Sequence, residues 1–136
     1  MPKGATGGAI LVATSEPQMR KTLTDFIVTE FNREVTGISE TSDLLLLAID
    51  KQVDLAVIDT NLKGLPIAKT IQIMKKCRPR VPVIVISDDY SVATGSRIME
   101  QGVFYYMYKP IDMDSFKEIV YSALRKLARD EGQERR

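Results

Sequence analysis

The side chains with chemistry to offer sit at the ends of apolar runs. Asp59 closes Leu55-Ala56-Val57-Ile58, Ser87 closes Val83-Ile84-Val85-Ile86, and Lys109 stands before Pro110 after Tyr106-Met107-Tyr108. Thr14, Ser15 and Glu16 follow the run Ala9 to Ala13, Asn61 lies two residues past Asp59, and Asp88 follows Ser87. A carboxylate, a hydroxyl and an ammonium form a set that can hold or exchange a charged group. Each taken alone has a plainer reading: Asp59 as a turn or cap residue, Lys109 as a solvated loop lysine, and Thr14-Ser15 ahead of Pro17 as a helix start. The chain has no histidine and one cysteine, Cys77. That removes Ser-His-Asp and Cys-His nucleophiles, His-ligated metals and a phosphohistidine relay on this chain. It also removes an intramolecular disulfide framework and multi-Cys zinc sites.

The elements that must position these groups alternate along the chain. Five β-rich runs, Ala9–Thr14, Glu34–Ile38, Leu55–Asp59, Val81–Ser87 and Val103–Tyr108, are separated by helical patterns. Pro17 to Asn32 carries Met19, Leu23, Phe26, Ile27 and Phe31 at helical spacing. Ser42 to Gln52 is a short helix with Ser42 as N-cap, and Ile67 to Cys77 puts Ile67, Ile71 and Met74 on one face. Ser91 to Gln101 is the weakest helix, because Thr94-Gly95-Ser96 lowers its propensity. Asp112 to Arg129 is the strongest, with a stripe of Phe116, Ile119, Val120, Ala123, Leu124 and Leu127 and a cap from Asp112 or Asp114.

Strict alternation predicts βαβ units and a parallel sheet. The third and fourth runs are continuously apolar, which marks central strands covered on both faces. The pattern predicts an α/β, flavodoxin-like (βα)5 three-layer sandwich whose parallel five-stranded sheet has the order 2-1-3-4-5. Residues 1–8 read as a flexible N-terminal arm, 9–129 as the domain and 130–136 as a frayed charged tail. In such a sheet, functional groups gather at the carboxyl ends of the strands, where Asp59, Ser87 and Lys109 converge with Glu16 and Asp88 nearby.

A length of 136 residues fits one domain, and 44% hydrophobic with 27% charged residues fits a globular chain. Nineteen basic residues against 18 acidic ones leave a net charge of +1, so bulk charge gives no support for direct nucleic-acid binding. No run approaches the roughly 20 apolar residues of a membrane span. Ala9 to Ala13 is shorter than a signal-peptide core. The reading is a soluble, cytoplasmic protein with no membrane partner.

Taken together and in order, these motifs resemble the response-regulator receiver domain of two-component signalling, the CheY-like superfamily. Val57-Ile58-Asp59-Thr60-Asn61-Leu62-Lys63-Gly64 looks like the strand and loop around the phosphoacceptor aspartate. Val83 to Ser87 looks like the fourth strand with its terminal hydroxyl, and Tyr106 to Asp112 like the Lys-Pro corner with an aromatic three residues before the lysine. The likeness covers residues 9 to about 128. It implies that Asp59 accepts a phosphoryl group, that Lys109 pairs first with Asp59 and then with the phosphate, and that Ser87 bonds a phosphoryl oxygen. It also implies that Tyr106 swings inward as Ser87 moves. Such transfer depends on positioning and charge neutralisation.

Two positions depart from the family pattern. Receivers carry an acidic pair after the first strand that holds Mg²⁺; here Thr14 and Ser15 stand there, and Glu16 matches only the third acidic position. Each lost carboxylate removes an attraction of about 4 kcal/mol at 4 Å for an effective dielectric near 20, before solvation returns much of it. Mg²⁺ binding is therefore expected to be weak or absent. Asp88 replaces the usual small residue beside the site and adds bulk and negative charge.

The resulting expectation is a receiver with a degenerate acidic pocket, weakly phosphorylated or not at all. It is not an enzyme and works through protein–protein contacts. Its partners would be a sensor histidine kinase or other signalling protein, or a second copy. The contact surface would be the face of helix four, strand five and helix five, with Arg97, Tyr106, Lys117, Tyr121 and Arg125. One alternative is a fully phosphorylatable receiver with metal ligands rebuilt from Glu16, Asp59 and the Asn61 carbonyl. Another is a flavodoxin-like binder of a small anion or nucleotide, against which the absence of glycine in Thr14-Ser15-Glu16-Pro17 counts.

Overall fold

The computed structural model describes residues 7–135. Five strands, β1 (Ala9–Ala13), β2 (Val35–Ile38), β3 (Val53–Asp59), β4 (Val83–Ser87) and β5 (Tyr105–Tyr108), alternate with five helices. The helices are α1 (Pro17–Phe31), α2 (Thr41–Asp50), α3 (Ile67–Cys77), α4 (Val92–Met99) and α5 (Met113–Arg135). All strand pairs are parallel and the order is β2-β1-β3-β4-β5, as the alternation predicts.

Successive strand residues point to opposite faces, so the sheet feeds two separate cores. Leu11, Ala56, Ile58, Val83 and Val85 pack with Leu44, Ile71, Met74 and Ile98 on the α2–α3–α4 side. Ile10, Val12, Leu55, Val57, Ile84 and Ile86 pack with Leu23, Ile27, Phe116, Val120 and Ala123 on the α1–α5 side. The same alternation sorts the site. Thr14, Asp59 and Lys109 continue the rows of Val12, Val57 and Met107, which face α1 and α5. Ser87 continues the row of Val83 and Val85, and Tyr106 also packs on the α2–α3–α4 side.

Strand starts at β3, β4 and β5 shift by two residues from the sequence reading, and three further differences have a physical cause. Helix α2 starts at Thr41, not Ser42, with Glu40 at the N-cap and no side-chain cap. The Thr41 hydroxyl is engaged instead by the Leu65 amide at 2.9 Å, and the Thr41 amide donates to the Lys63 carbonyl at 2.9 Å. Gly64 lies directly over this contact at φ +123°, where a Cβ would come within 2.1 Å of the Thr41 hydroxyl. Only glycine fits there, and the loop after Asp59 is thereby pinned to α2. Helix α5 runs to Arg135, through most of the segment read as a frayed tail; the i,i+4 pair Lys126–Asp130 at 2.8 Å supports the extra turns. Of the N-terminal arm, residues 1–6 lie outside the described residues. Gly8 is buried, and its amide donates to the Asp54 carboxylate at 2.8 Å. That carboxylate also pairs with Arg33.

Side chains cap two helix starts, and the one before α5 is an expected cap. Ser91 precedes α4 and its hydroxyl accepts from the Thr94 amide at 3.2 Å. Asp112 precedes α5 and its carboxylate accepts from the Asp114 amide and the Ser115 hydroxyl.

Candidate functional site

Strand register brings the site together from distant parts of the chain. Ala13 pairs with Ile58 and Ile58 with Val85, so the residues that follow, Thr14, Asp59 and Ile86, meet at one sheet edge. Asp59 is 1% exposed, and a carboxylate so buried needs a partner for every oxygen. The Thr14 hydroxyl donates to Asp59 Oδ2 at 2.6 Å. The Asn61 amide donates to Asp59 Oδ1 at 3.1 Å. Lys109 Nζ lies 3.1 Å from each carboxylate oxygen.

Lys109 is shared. Its ammonium also lies 2.9 Å from Glu16 Oε2. Glu16 occupies the N-cap position of α1 yet makes no capping bond; its carboxylate turns back over the strand ends instead. The Asn61 side-chain amide donates to Glu16 Oε2 at 2.8 Å and to Asp88 Oδ2 at 3.3 Å. The Lys109 hydrogen bond, followed by that of Asn61, holds the Glu16 carboxyl below the usual carboxylate range. Burial alone would push the Lys109 ammonium down, but its hydrogen bonds to Glu16 and Asp59 outweigh that and hold it above the ordinary lysine value.

Thr14 and Ser15 play different parts. Thr14 is 1% exposed, and its hydroxyl both donates to Asp59 and accepts from the Glu16 amide at 3.1 Å. Thr14 does not cap α1, whose N-cap position is Glu16 and which has no side-chain cap bond. Ser15 does not reach Asp59: its hydroxyl donates to the Ser39 carbonyl at 3.0 Å and accepts from the Lys63 amide at 2.9 Å. It ties three loops together beneath the site. Among the described residues no group of three or more His, Cys, Asp or Glu side chains could hold a metal ion. Of the expected ligand set of Glu16, Asp59 and the Asn61 carbonyl, the two carboxylates are brought together, with an ammonium between them.

Ser87 is fully buried on the other side of the sheet edge. Its hydroxyl accepts from the Asp89 amide at 2.9 Å and donates to the Asp89 carbonyl at 3.2 Å. The Thr60 hydroxyl lies 3.4 Å away. Tyr106 is turned inward, with its hydroxyl buried and without a hydrogen-bond partner. A cleft of about 330 Å³ opens beside Asn61 between the two loops, with Ile67 and Ile98 below and Asp88 and Arg97 at the sides.

Sequence reasoning missed Arg20, whose guanidinium donates to the Thr14 carbonyl at 2.6 Å, and Tyr90, whose hydroxyl donates to the Lys109 carbonyl at 2.7 Å. Neither stands at a strand end or in a recognisable spacing, so no local signal marks them. Asp89 was also passed over. Its carboxylate accepts from the Ser91 amide and the Thr94 hydroxyl, which together hold its carboxyl low.

A buried aspartate and a lysine at the carboxyl edge of a 2-1-3-4-5 sheet define a receiver-type signalling module. Residues 10–121 match the family model for the response regulator receiver domain, and the chain belongs to that family. It is 29% identical over 119 residues to the DNA-binding transcriptional regulator NtrC of Azospirillum brasilense, covering 88% of this chain and 24% of that protein. It is 27% identical over 119 residues to the transcriptional regulatory protein GlrR of Escherichia coli K12, covering 88% and 27%. The chain thus spans about a quarter of the length of the curated relatives it matches. Among solved structures, a CheY-like receiver domain protein from Methanospirillum hungatei JF-1 superposes with a TM-score of 0.86 at 17% identity, over 92% of this chain and 99% of that one. The beryllofluoride-activated NtrC4 receiver domain dimer gives 0.81 at 18% identity, over 88% and 98%. The family assignment favours a receiver over the flavodoxin-like anion or nucleotide binder.

The paired groups predict a pH response. Glu16 is held low, so its pairing contributes stability above the ordinary glutamate value of about 4.3 and loses it as pH falls through the lower folded value. Lys109 is held high, so its contribution is present below about 10.4 and is lost as pH rises through the higher folded value. Lys109→Met is expected to raise the Glu16 midpoint, read by carboxyl ¹³C NMR. An unchanged midpoint would remove Lys109 as the cause.

Proposed function

We propose that this receiver signals from a pocket that Lys109, and not Mg²⁺, neutralises, and that its output is protein–protein contact. The supporting observation is the single ammonium within 3.1 Å of Asp59 and 2.9 Å of Glu16, with the Thr14 hydroxyl on Asp59 at 2.6 Å. Mg²⁺ takes carboxylate, phosphate and water oxygens in near-octahedral geometry. The Asp59 oxygens already receive an ammonium, a hydroxyl and an amide, and nothing here supports a step through the metal. Asp59 is the retained phosphoacceptor position, Lys109 and Ser87 are its assisting groups, and Tyr106 is the switch residue. A phosphoryl group on Asp59 would add negative charge beside Glu16 and Asp88 with one lysine to balance it, so phosphorylation is weak or absent. The rebuilt-ligand alternative is less favoured because the ammonium of Lys109 already occupies Glu16 Oε2 and both Asp59 oxygens.

Receivers meet histidine kinases and can dimerise, and the NtrC4 receiver is described as a dimer. For this chain we assign the contact to the face of α4, β5 and α5. Tyr105, Tyr108 and Tyr121 are exposed there, with Arg125 set over the Tyr121 ring at 5.5 Å. Arg97 lies on α4 and Lys117 on α5. Among the described residues no helix is long and apolar enough to cross a membrane. We read the domain as a cytoplasmic, non-enzymatic module.

Titration calorimetry with Mg²⁺ tests the pocket, alongside intact mass after exposure to a small acyl phosphate. The parent chain is expected to bind Mg²⁺ more weakly than about 1 mM (−4.1 kcal/mol) and to gain little phosphoryl mass. Thr14→Asp with Ser15→Asp is expected to tighten binding by more than about a hundredfold, roughly 3 kcal/mol. Saturable parent binding below about 1 mM at Asp59 would contradict the reading. For the surface, Arg97→Glu and Tyr106→Ala are each expected to weaken self-association or partner capture in sedimentation and pull-down. Unchanged binding in both moves the interface off this face.

A further inference from the structure

Tyr90 belongs neither to the pocket nor to the Ser87–Tyr106 pair, yet it touches both sides of the molecule's working edge. Its hydroxyl donates to the Lys109 carbonyl at 2.7 Å. Its ring stacks on Tyr108, with centroids 4.7 Å apart and planes 26° from parallel. Tyr108 in turn meets Tyr106 edge to face at 5.4 Å and 71°. A continuous chain of contacts thus leads from the backbone of the lysine in the pocket to the ring of the inward-turned Tyr106. Tyr90 is 63% exposed, so general burial does not account for its placement.

The loop that carries Tyr90 is held on its other side as well. The Asp89 backbone closes on the Ser87 hydroxyl, and the Asp89 carboxylate accepts from the Ser91 amide and the Thr94 hydroxyl, each at 2.9 Å. Tyr90 therefore joins a fixed loop to the Lys109–Pro110 corner. If Lys109 shifts, its carbonyl either leaves the Tyr90 hydroxyl or drags the ring with it. In both cases the stack on Tyr108 changes, and Tyr108 is 43% exposed on β5, where a partner would read it. Aromatic pairs have strong geometric preferences, so a displaced ring settles in a different arrangement and not in a slightly stretched one.

We infer that Tyr90 is a positioning residue that transmits the state of Lys109 to the exposed tyrosines of β5 through its hydroxyl and its ring stack. The inference rests on the reading of the Asp59 pocket as the input. It predicts that pocket and surface are coupled through one hydroxyl, which can be removed without removing the ring.

The experiment is ¹⁹F NMR of the full chain labelled with 3-fluorotyrosine. The sequence has five tyrosines, Tyr90, Tyr105, Tyr106, Tyr108 and Tyr121, each assignable by its loss on substitution to phenylalanine. The pocket is perturbed by Lys109→Met and, more mildly and from the exposed side, by Glu16→Gln. Both are expected to displace the Tyr108 and Tyr106 signals in the parent while the Tyr121 signal on α5 stays in place and reports the fold. In the Tyr90→Phe background, which keeps the ring and loses the hydroxyl, the displacement is expected to fall at least threefold. Undiminished displacement in that background, or none at Tyr108 in the parent, overturns the inference. The readout uses no phosphodonor, metal or partner. A pocket that proved to bind Mg²⁺ would therefore contradict the proposed function while leaving this result to stand or fall alone.

Discussion

One ammonium shared by two carboxylates is the interaction on which the site depends. Asp59 is buried almost completely, and an uncompensated charge at that depth would be driven out of the fold or neutralised by a proton. In this chain the compensation is internal. Lys109 supplies the charge, Thr14 and the Asn61 amide supply the remaining hydrogen bonds, and Glu16 holds Lys109 from the solvent side. Two neighbouring hydroxyl residues carry different loads. Thr14 satisfies the aspartate directly, whereas Ser15 ties the loops at Ser39 and Lys63 together. Both Asp59 oxygens are thus partnered within the chain.

That arrangement constrains the rest of the edge. The loop after β3 must keep Asn61 under Glu16, and it is fixed by Gly64 lying against Thr41 and by the Thr41 hydroxyl on the Leu65 amide. The loop after β4 must keep Asp88 within reach of Asn61, and it is fixed by the Asp89 carboxylate, which accepts from the Ser91 amide and the Thr94 hydroxyl. Sheet pleating then separates the roles, with Asp59 and Lys109 toward α1 and α5, and Ser87 and Tyr106 toward α3 and α4. Helix α4 is the shortest helix, with Gly95 in its middle and open space around it.

The topology was legible because its cause is periodic. Val57-Ile58 and Val83 to Ile86 can only be central strands, and the 3.6-residue stripe from Phe116 to Leu127 can only be a helix on the sheet. Asp59, Lys109, Thr14 and Glu16 were legible as strand-end residues. Their mutual geometry was not, since Lys109 and Glu16 are 93 residues apart and the choice of Lys109 between one carboxylate and two depends on rotamers. The start of α2 was misplaced because the Thr41 hydroxyl serves Leu65, a partner 24 residues away. Gly8 was read as part of a loose arm because its anchor, Asp54, is 46 residues distant and paired with Arg33. The α5 end was drawn short because a charge-rich sequence looks like a tail, although Lys126 and Asp130 are spaced to extend a helix.

The central claim is that an ammonium holds the place beside Asp59 that a cation would take. A high-resolution crystal structure of the chain grown in saturating Mg²⁺ tests it most directly. The account predicts Lys109 Nζ still between Asp59 and Glu16, the Thr14 hydroxyl still on Asp59, and no metal bound to that carboxylate. An octahedral ion at about 2.0–2.1 Å from an Asp59 oxygen, with Lys109 displaced, would contradict it.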